Sequence, residues 1–115
     1  MAQMREIEID IVCHLDGCSV LHIHSDINWK TSPRLRAAIL DLIERRFQER
    51  VIVDLNGTRH LDSSGVSSLV EGFIAAKKRK ARLILSSLAS RRRVLNSTRL
   101  SGLFETTDTV EQALQ

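Results

Sequence analysis

With 115 residues and a net charge of +3, the chain is the size of one domain, and residues 1–115 read as a single unit without linker, repeat or low-complexity tract. Its 43% apolar and 27% charged residues exclude a disordered polymer, no run approaches the ~20 apolar residues that span a bilayer, and the start lacks the apolar stretch of a signal peptide. The aromatic residues are Trp29, Phe47, Phe73 and Phe104 alone, too few to add stacking platforms to a mildly basic surface, so direct nucleic-acid binding is not expected.

Ile7, Ile9, Ile11 and Cys13 alternate with Glu6, Glu8, Asp10 and His14, the pattern of a half-buried strand, and Val20 to His24 form a second. A two-residue turn at Asp16-Gly17 would force His22 and His24 onto the apolar face. A three-residue turn, Leu15-Asp16-Gly17, pairs Ile11 with Leu21 and Ile9 with Ile23 and puts Gly17 at the left-handed position. This register keeps Cys13 and Cys18 from facing each other. Without an export signal they predict free thiols in a reducing cytoplasm.

Ser32 as N-cap and Pro33 as first helical residue announce a helix. Leu35, Ala38, Ile39, Leu42, Ile43 and Phe47 give it one apolar stripe to about residue 48. Val51-Ile52-Val53-Asp54-Leu55 reads as a strand covered on both faces. A second helix starts near Ser64, turns Val66, Leu69, Val70, Phe73 and Ile74 inward, and ends in Lys77-Lys78-Arg79-Lys80, where cations suit the helix dipole. Arg82 to Ser86 is a strand. A third helix is expected over roughly 90–99, anchored by Val94 and Leu95, and a last one begins at Asp108 or Thr109, with Glu111 or Gln112 completing a capping box. The fold class is therefore α/β: a mixed sheet of about four strands with an N-terminal antiparallel hairpin and about four packed helices.

The segment from Val53 to Gly65 runs from a buried strand through a short connection to a helix N-terminus, the place where α/β folds meet ligands and partners. Asp62, Ser63 and Ser64 are all good N-caps, so the tetrapeptide Asp62-Ser63-Ser64-Gly65 by itself says only that a helix begins. Gly65 fits either a tight first turn or a backbone that another protein approaches closely.

In combination with Val51 to Leu55, Leu61 to Val66, Ala81 to Leu85, Arg92 to Leu95, Ser101 to Phe104 and Val110 to Leu114, this junction resembles the STAS domain family of anti-sigma factor antagonists. The resemblance implies the STAS fold and a protein-binding module in a bacterial partner-switching pathway, not an enzyme. It implies that the serine after the aspartate, Ser63, is phosphorylated by an anti-sigma factor that is itself a serine kinase, with Ser64 the secondary candidate. The unmodified form would bind the kinase and free a sigma factor, and a PP2C-type, metal-dependent phosphatase would reverse the modification. The family's acidic loop corresponds to Ser25-Asp26-Ile27-Asn28, where Asp26 matches, Ser25 replaces a glycine and Asn28 replaces an aspartate. Asp26, Asn28, Trp29, Asp62, Ser63, Ser64 and Gly65 are thus the expected partner-binding surface, with Trp29 either an exposed anchor or a cap on the core. A constitutively docked scaffold or transporter-associated subunit is the alternative, and homodimer formation stays open.

No cofactor or metal is expected. His14, His22, His24 and His60 lack the spacing of a tetrahedral set. The Gly-x-Ser-x-Gly elbow of hydrolases and the phosphate-binding glycine loop are both missing. Lys77 to Lys80 and Arg91 to Arg93 read as solvated helix ends to which no site is assigned.

Overall fold

The computed structural model describes residues 8–14, 16–86 and 102–115, and in it the amino-terminal alternation closes into the hairpin its apolar pattern requires. Strand β1 (Ile9–His14) pairs antiparallel with β2 (Cys18–Ile23), Ile9 opposite Ile23 and Ile11 opposite Leu21. Gly17 takes φ +72, the left-handed conformation that a side chain would strain. Strands β3 (Arg50–Asp54), β4 (Arg82–Ser86) and β5 (Glu105–Thr107) follow in parallel, giving a five-stranded sheet in the order β1-β2-β3-β4-β5. The sheet thus has one strand more than expected. β5 is three polar residues long and is a strand only because it pairs with the free side of β4.

Helix α1 (Ser32–Leu40) continues as a π-helical turn, Asp41–Arg45, and helix α2 spans Ser63–Lys78. Both cover the face carrying Leu21, Ile23, Val51, Val53, Leu83 and Leu85. The short helix α3 (Val110–Leu114) seats Val110 and Ala113 against Cys18, Val20, Ile52 and Ile84 on the other face. Thr109 caps it, accepting from the Gln112 amide while Gln112 accepts from the Thr109 amide, so the second of the two capping boxes forms. The helix expected over 90–99 lies outside the described residues.

Four local expectations are corrected. The N-cap of α1 is Thr31, not Ser32, because the helical ladder starts at the Thr31 carbonyl, which takes the Leu35 amide, while the Thr31 hydroxyl is drawn into the preceding loop and caps nothing. The π-helical turn widens the helix so that Arg46 donates to the Asp41 carbonyl, five residues back, and the apolar stripe stops at Ile43. Phe47 is thrown outward, 68% exposed. Ile74 is exposed as well, on the far side of α2. The fourth concerns β1, whose expected buried face is largely open: Ile11 is 47% exposed and Cys13 is exposed, while Ile9 still packs on the core. α1 and α2 lie over the inner strands, and β1 is the edge.

Cys13 is exposed and Cys18 buried, both as free thiols, and burial pushes the Cys18 thiol above its ordinary range. Timed alkylation of the folded protein should therefore label Cys13 quickly and Cys18 only under denaturing conditions. Equal rates would contradict this packing.

Candidate functional site

Two loops meet at the carboxyl ends of β2 and β3. The first, between β2 and α1, carries Asp26, Ile27, Asn28 and Trp29, and the second, between β3 and α2, carries Thr58 to Asp62. They join as a short parallel bridge: the Ile27 amide donates to the His60 carbonyl at 2.9 Å and the Asp62 amide to the Ile27 carbonyl at 3.0 Å. Asp26 Oδ1 accepts from the amides of Arg59 (3.0 Å) and His60 (3.1 Å), and the buried Thr58 hydroxyl donates to the Ser25 carbonyl at 3.0 Å. Nothing in the sequence marks Thr58, Arg59 or His60 for this work, since their partners lie more than thirty residues away.

Asn28 shapes its own loop. Its Oδ1 accepts from the amides of Lys30 (2.9 Å) and Thr31 (3.3 Å), a side-chain-closed turn that an aspartate would make equally well. Asparagine at this position therefore keeps the geometry and removes one negative charge from the surface. Trp29 follows it at 70% exposure, with the Lys30 ammonium 5.3 Å from its ring centre. Of its two readings the structure selects exposure: Trp29 caps nothing.

Asp62 is the N-cap of α2, in extended backbone geometry, and its Oδ1 accepts from the Gly65 amide at 3.0 Å and from the Ser64 hydroxyl at 2.6 Å. Those contacts, the Ser64 hydroxyl foremost and then the amides of Gly65, Ser64 and Trp29, hold its carboxyl below the usual carboxylate range. The Asp62 amide on the Ile27 carbonyl, two residues before Trp29, brings both loops to one surface. A lowered pKa means that this cap is complete above the ordinary carboxylate range and is lost as pH falls through the folded-state value. Asp62→Ala should cost about 1 kcal/mol of stability, a difference that thermal melts should find at neutral pH and see shrink in acid.

Ser63, the first residue of α2, is exposed, and among the described residues no hydrogen bond engages its hydroxyl. Ser64 is half-buried and its hydroxyl is committed to Asp62. Gly65 is not on the surface at all. It is buried, and a Cβ there would lie 2.5 Å from Leu61 Cδ1 and 2.6 Å from Ile27 Cγ2. Of its two readings the packing supports the internal one: the absent side chain lets α2 press onto the bridge between the loops.

Beside the loops lies an open polar cleft of about 480 Å³ lined by Glu8, His24, Ser25, Asp26, Asn28, Thr31, Gly57 and Arg59, and Ser63 lies outside it. His22 Nδ1 meets Asp54 Oδ2 at 2.7 Å and His24 Nε2 meets Asp10 Oδ2 at 2.9 Å, on the sheet face away from α1 and α2. Among the described residues no group of three His, Cys, Asp or Glu side chains is placed to hold a metal ion.

A family model described as the STAS domain matches residues 11–113. Among solved structures, the chain is similar to an anti-sigma factor antagonist from Mycobacterium paratuberculosis, 26% identical over 94% of this chain and 91% of that one, with a TM-score of 0.78. It is similar to a sulfate transporter family protein from Wolinella succinogenes, at 24% identity over 90% of this chain and 85% of that one (TM-score 0.74). It is also similar in fold to the Bacillus cell fate determinant SpoIIAA in its phosphorylated form, at 19% identity over 93% of this chain and 96% of that one (TM-score 0.72).

Proposed function

The chain belongs to the STAS domain family, and from that premise we propose that it is an anti-sigma factor antagonist that binds a serine-kinase anti-sigma factor and is switched by phosphorylation of Ser63. The observation that carries this reading is the Ser63 hydroxyl, exposed at the mouth of α2 and unengaged among the described residues. A kinase reaches such a group without unfolding anything. Ser64 is the poorer acceptor, because its hydroxyl must first leave the Asp62 carboxylate.

The chemistry of the junction supports an effect on docking rather than on folding. Phosphate adds about −1.5 to −2 charges. The positive end of α2 is already served by Asp62, whose side chain takes the Gly65 amide and whose carbonyl takes the Val66 amide. A phosphate on Ser63 therefore faces outward, next to a carboxylate, on the surface that Trp29, Asn28 and Asp62 share. The module acts by binding, with the kinase supplying the chemistry and a PP2C-type phosphatase reversing it.

The test is direct. Purified protein incubated with ATP alone should remain unmodified. With the kinase added it should gain one phosphate, located at Ser63 by mass spectrometry and absent from Ser63→Ala. Modification without a kinase, or elsewhere in the chain, would overturn the proposal. A second reading, a permanently docked scaffold or transporter-associated subunit, is favoured by Asn28, which leaves this surface one carboxylate short of the family pattern, and by the likeness to the transporter family protein. It predicts a partner whose binding is indifferent to the state of Ser63.

A further inference from the structure

At the end of the molecule opposite Ser63, the chain does something costly. Two helices terminate side by side, the π-helical turn after α1 at Arg46 and α2 at Arg79, and the next residue in each case is left-handed. That position ordinarily goes to glycine or asparagine. Here it is Phe47, at φ 54, and Lys80, at φ 58. A bulky side chain in this conformation costs free energy that glycine would avoid, and neither residue recovers it by packing: Lys80 is exposed and Phe47 is 68% exposed. The π-helical turn is what expels Phe47 from the apolar stripe of its own helix.

One cation lies over the exposed ring, and others stand on the same helix ends. The Arg79 guanidinium lies 5.6 Å from the Phe47 ring centre, and the Arg82 amide ties the two helix-ending loops together through the Glu49 carbonyl at 2.8 Å. Arg45, Arg46, Lys77, Lys78, Arg79 and Lys80 are all exposed. Asp41, Glu44 and Glu49 are the acidic residues on the same loops and last turns, and Asp41 is engaged with Arg45 and Arg46. Lys77 reaches over the Phe73 ring and Asp16 lies on the turn that the Glu49 amide bonds, so the unpaired positive charge of this pole sits mainly on Lys78, Arg79 and Lys80, beside one projecting aromatic.

We propose that this pole docks on an anionic phospholipid surface, Phe47 entering the headgroup region while Lys78, Arg79 and Lys80 meet the lipid phosphates. Peripheral membrane segments combine apolar or aromatic side chains that enter the headgroup boundary with basic residues drawn to anionic lipid. A single-stranded nucleic acid would want successive stacking platforms. Phe47 stands alone in that respect, with Arg79 over its ring, and Phe73 on α2 is half-buried with its edge on Phe104. No helix among the described residues is long and apolar enough to cross a membrane, so the contact is peripheral. The 16 residues of α2 separate this pole from Ser63 by about 24 Å, far enough for a lipid surface and a protein partner to be held together.

Cosedimentation with vesicles tests the proposal. The protein should bind vesicles of phosphatidylcholine mixed with phosphatidylglycerol, release them as salt rises, and ignore phosphatidylcholine alone. At about fivefold per charge, Lys78→Gln with Lys80→Gln should weaken binding about 30-fold. Phe47→Gly is the decisive variant: relieving the left-handed strain should raise the melting temperature by about 3 °C while vesicle binding falls about tenfold. A loss of binding in a more stable protein cannot be assigned to misfolding. Ser63→Asp should bind vesicles as the unaltered protein does, so this result stands or falls separately from the phosphorylation switch. Equal binding to both vesicle types, full binding by Phe47→Gly, or tighter binding to a single-stranded oligonucleotide than to anionic vesicles would each overturn the proposal.

Discussion

Ser63→Asp is expected to weaken binding to the proposed serine-kinase partner about 100-fold relative to Ser63→Ala, because like charges brought together at an interface cost several kcal/mol. The alanine variant removes only an exposed hydroxyl that makes no hydrogen bond among the described residues, so it should bind as the unmodified protein does and escape regulation. Aspartate carries one charge where phosphate carries nearly two, so the phosphorylated protein should lose more than the mimic. The physical cause has its own signature. A charge effect on an exposed surface is screened, so raising salt should narrow the gap between the two variants, whereas a steric effect would leave it unchanged. Titration calorimetry at two salt concentrations reads both quantities. Identical affinities for the two variants would leave the switch without a mechanism.

Gly65→Val is expected to be the most damaging single change at the site, costing about 3 kcal/mol and lowering the melting temperature by about 12 °C. Two effects compete here. Glycine in a helix is poorer than alanine by up to about 1 kcal/mol, so on an exposed first turn its replacement would stabilise. At Gly65 the added carbon would lie 2.5 Å from Leu61 Cδ1 and 2.6 Å from Ile27 Cγ2. The leucine tip can turn aside, but the Ile27 branch is fixed, because Ile27 is buried and its amide and carbonyl both bond the other loop. Overlap therefore wins over propensity. Since the contact is with the bridge itself, the variant should also splay Asp26 from Arg59 and His60 and disturb the surface that Trp29 and Asp62 share. Gly65→Ala, with one carbon rather than three, should show the same sign and a smaller fall, and thermal melts of the two order the effects. A Gly65→Val protein as stable as the parent would mean that α2 does not press on the loops as described.

The hairpin register and the start of α2 at the Asp-Ser-Ser-Gly junction were readable in the sequence, and the start of the last helix was narrowed to Asp108 or Thr109, because each is decided by residues near one another in the chain. Alternating isoleucines and a turn glycine leave one register with a clean face, and a side-chain oxygen before a helix finds its amides two or three residues on. Ser63 was marked only by the resemblance, since any of three adjacent residues could have capped the helix, and its exposure follows from the structure's choice of Asp62 as cap. Tertiary structure decided the rest. Asp26 finds the Arg59 and His60 amides 33 and 34 positions away, and only folding tells whether an acidic residue faces a partner or holds a loop. Glu105–Thr107 is a strand because β4 offers an edge, and Ile11 is exposed because α1 and α2 lie over the inner strands. Phe47 fits the apolar period of its helix and is nevertheless outside, because a single widened turn changes the face on which the next residues emerge. Periodicity carries local order over one element, whereas burial is a property of what packs against it.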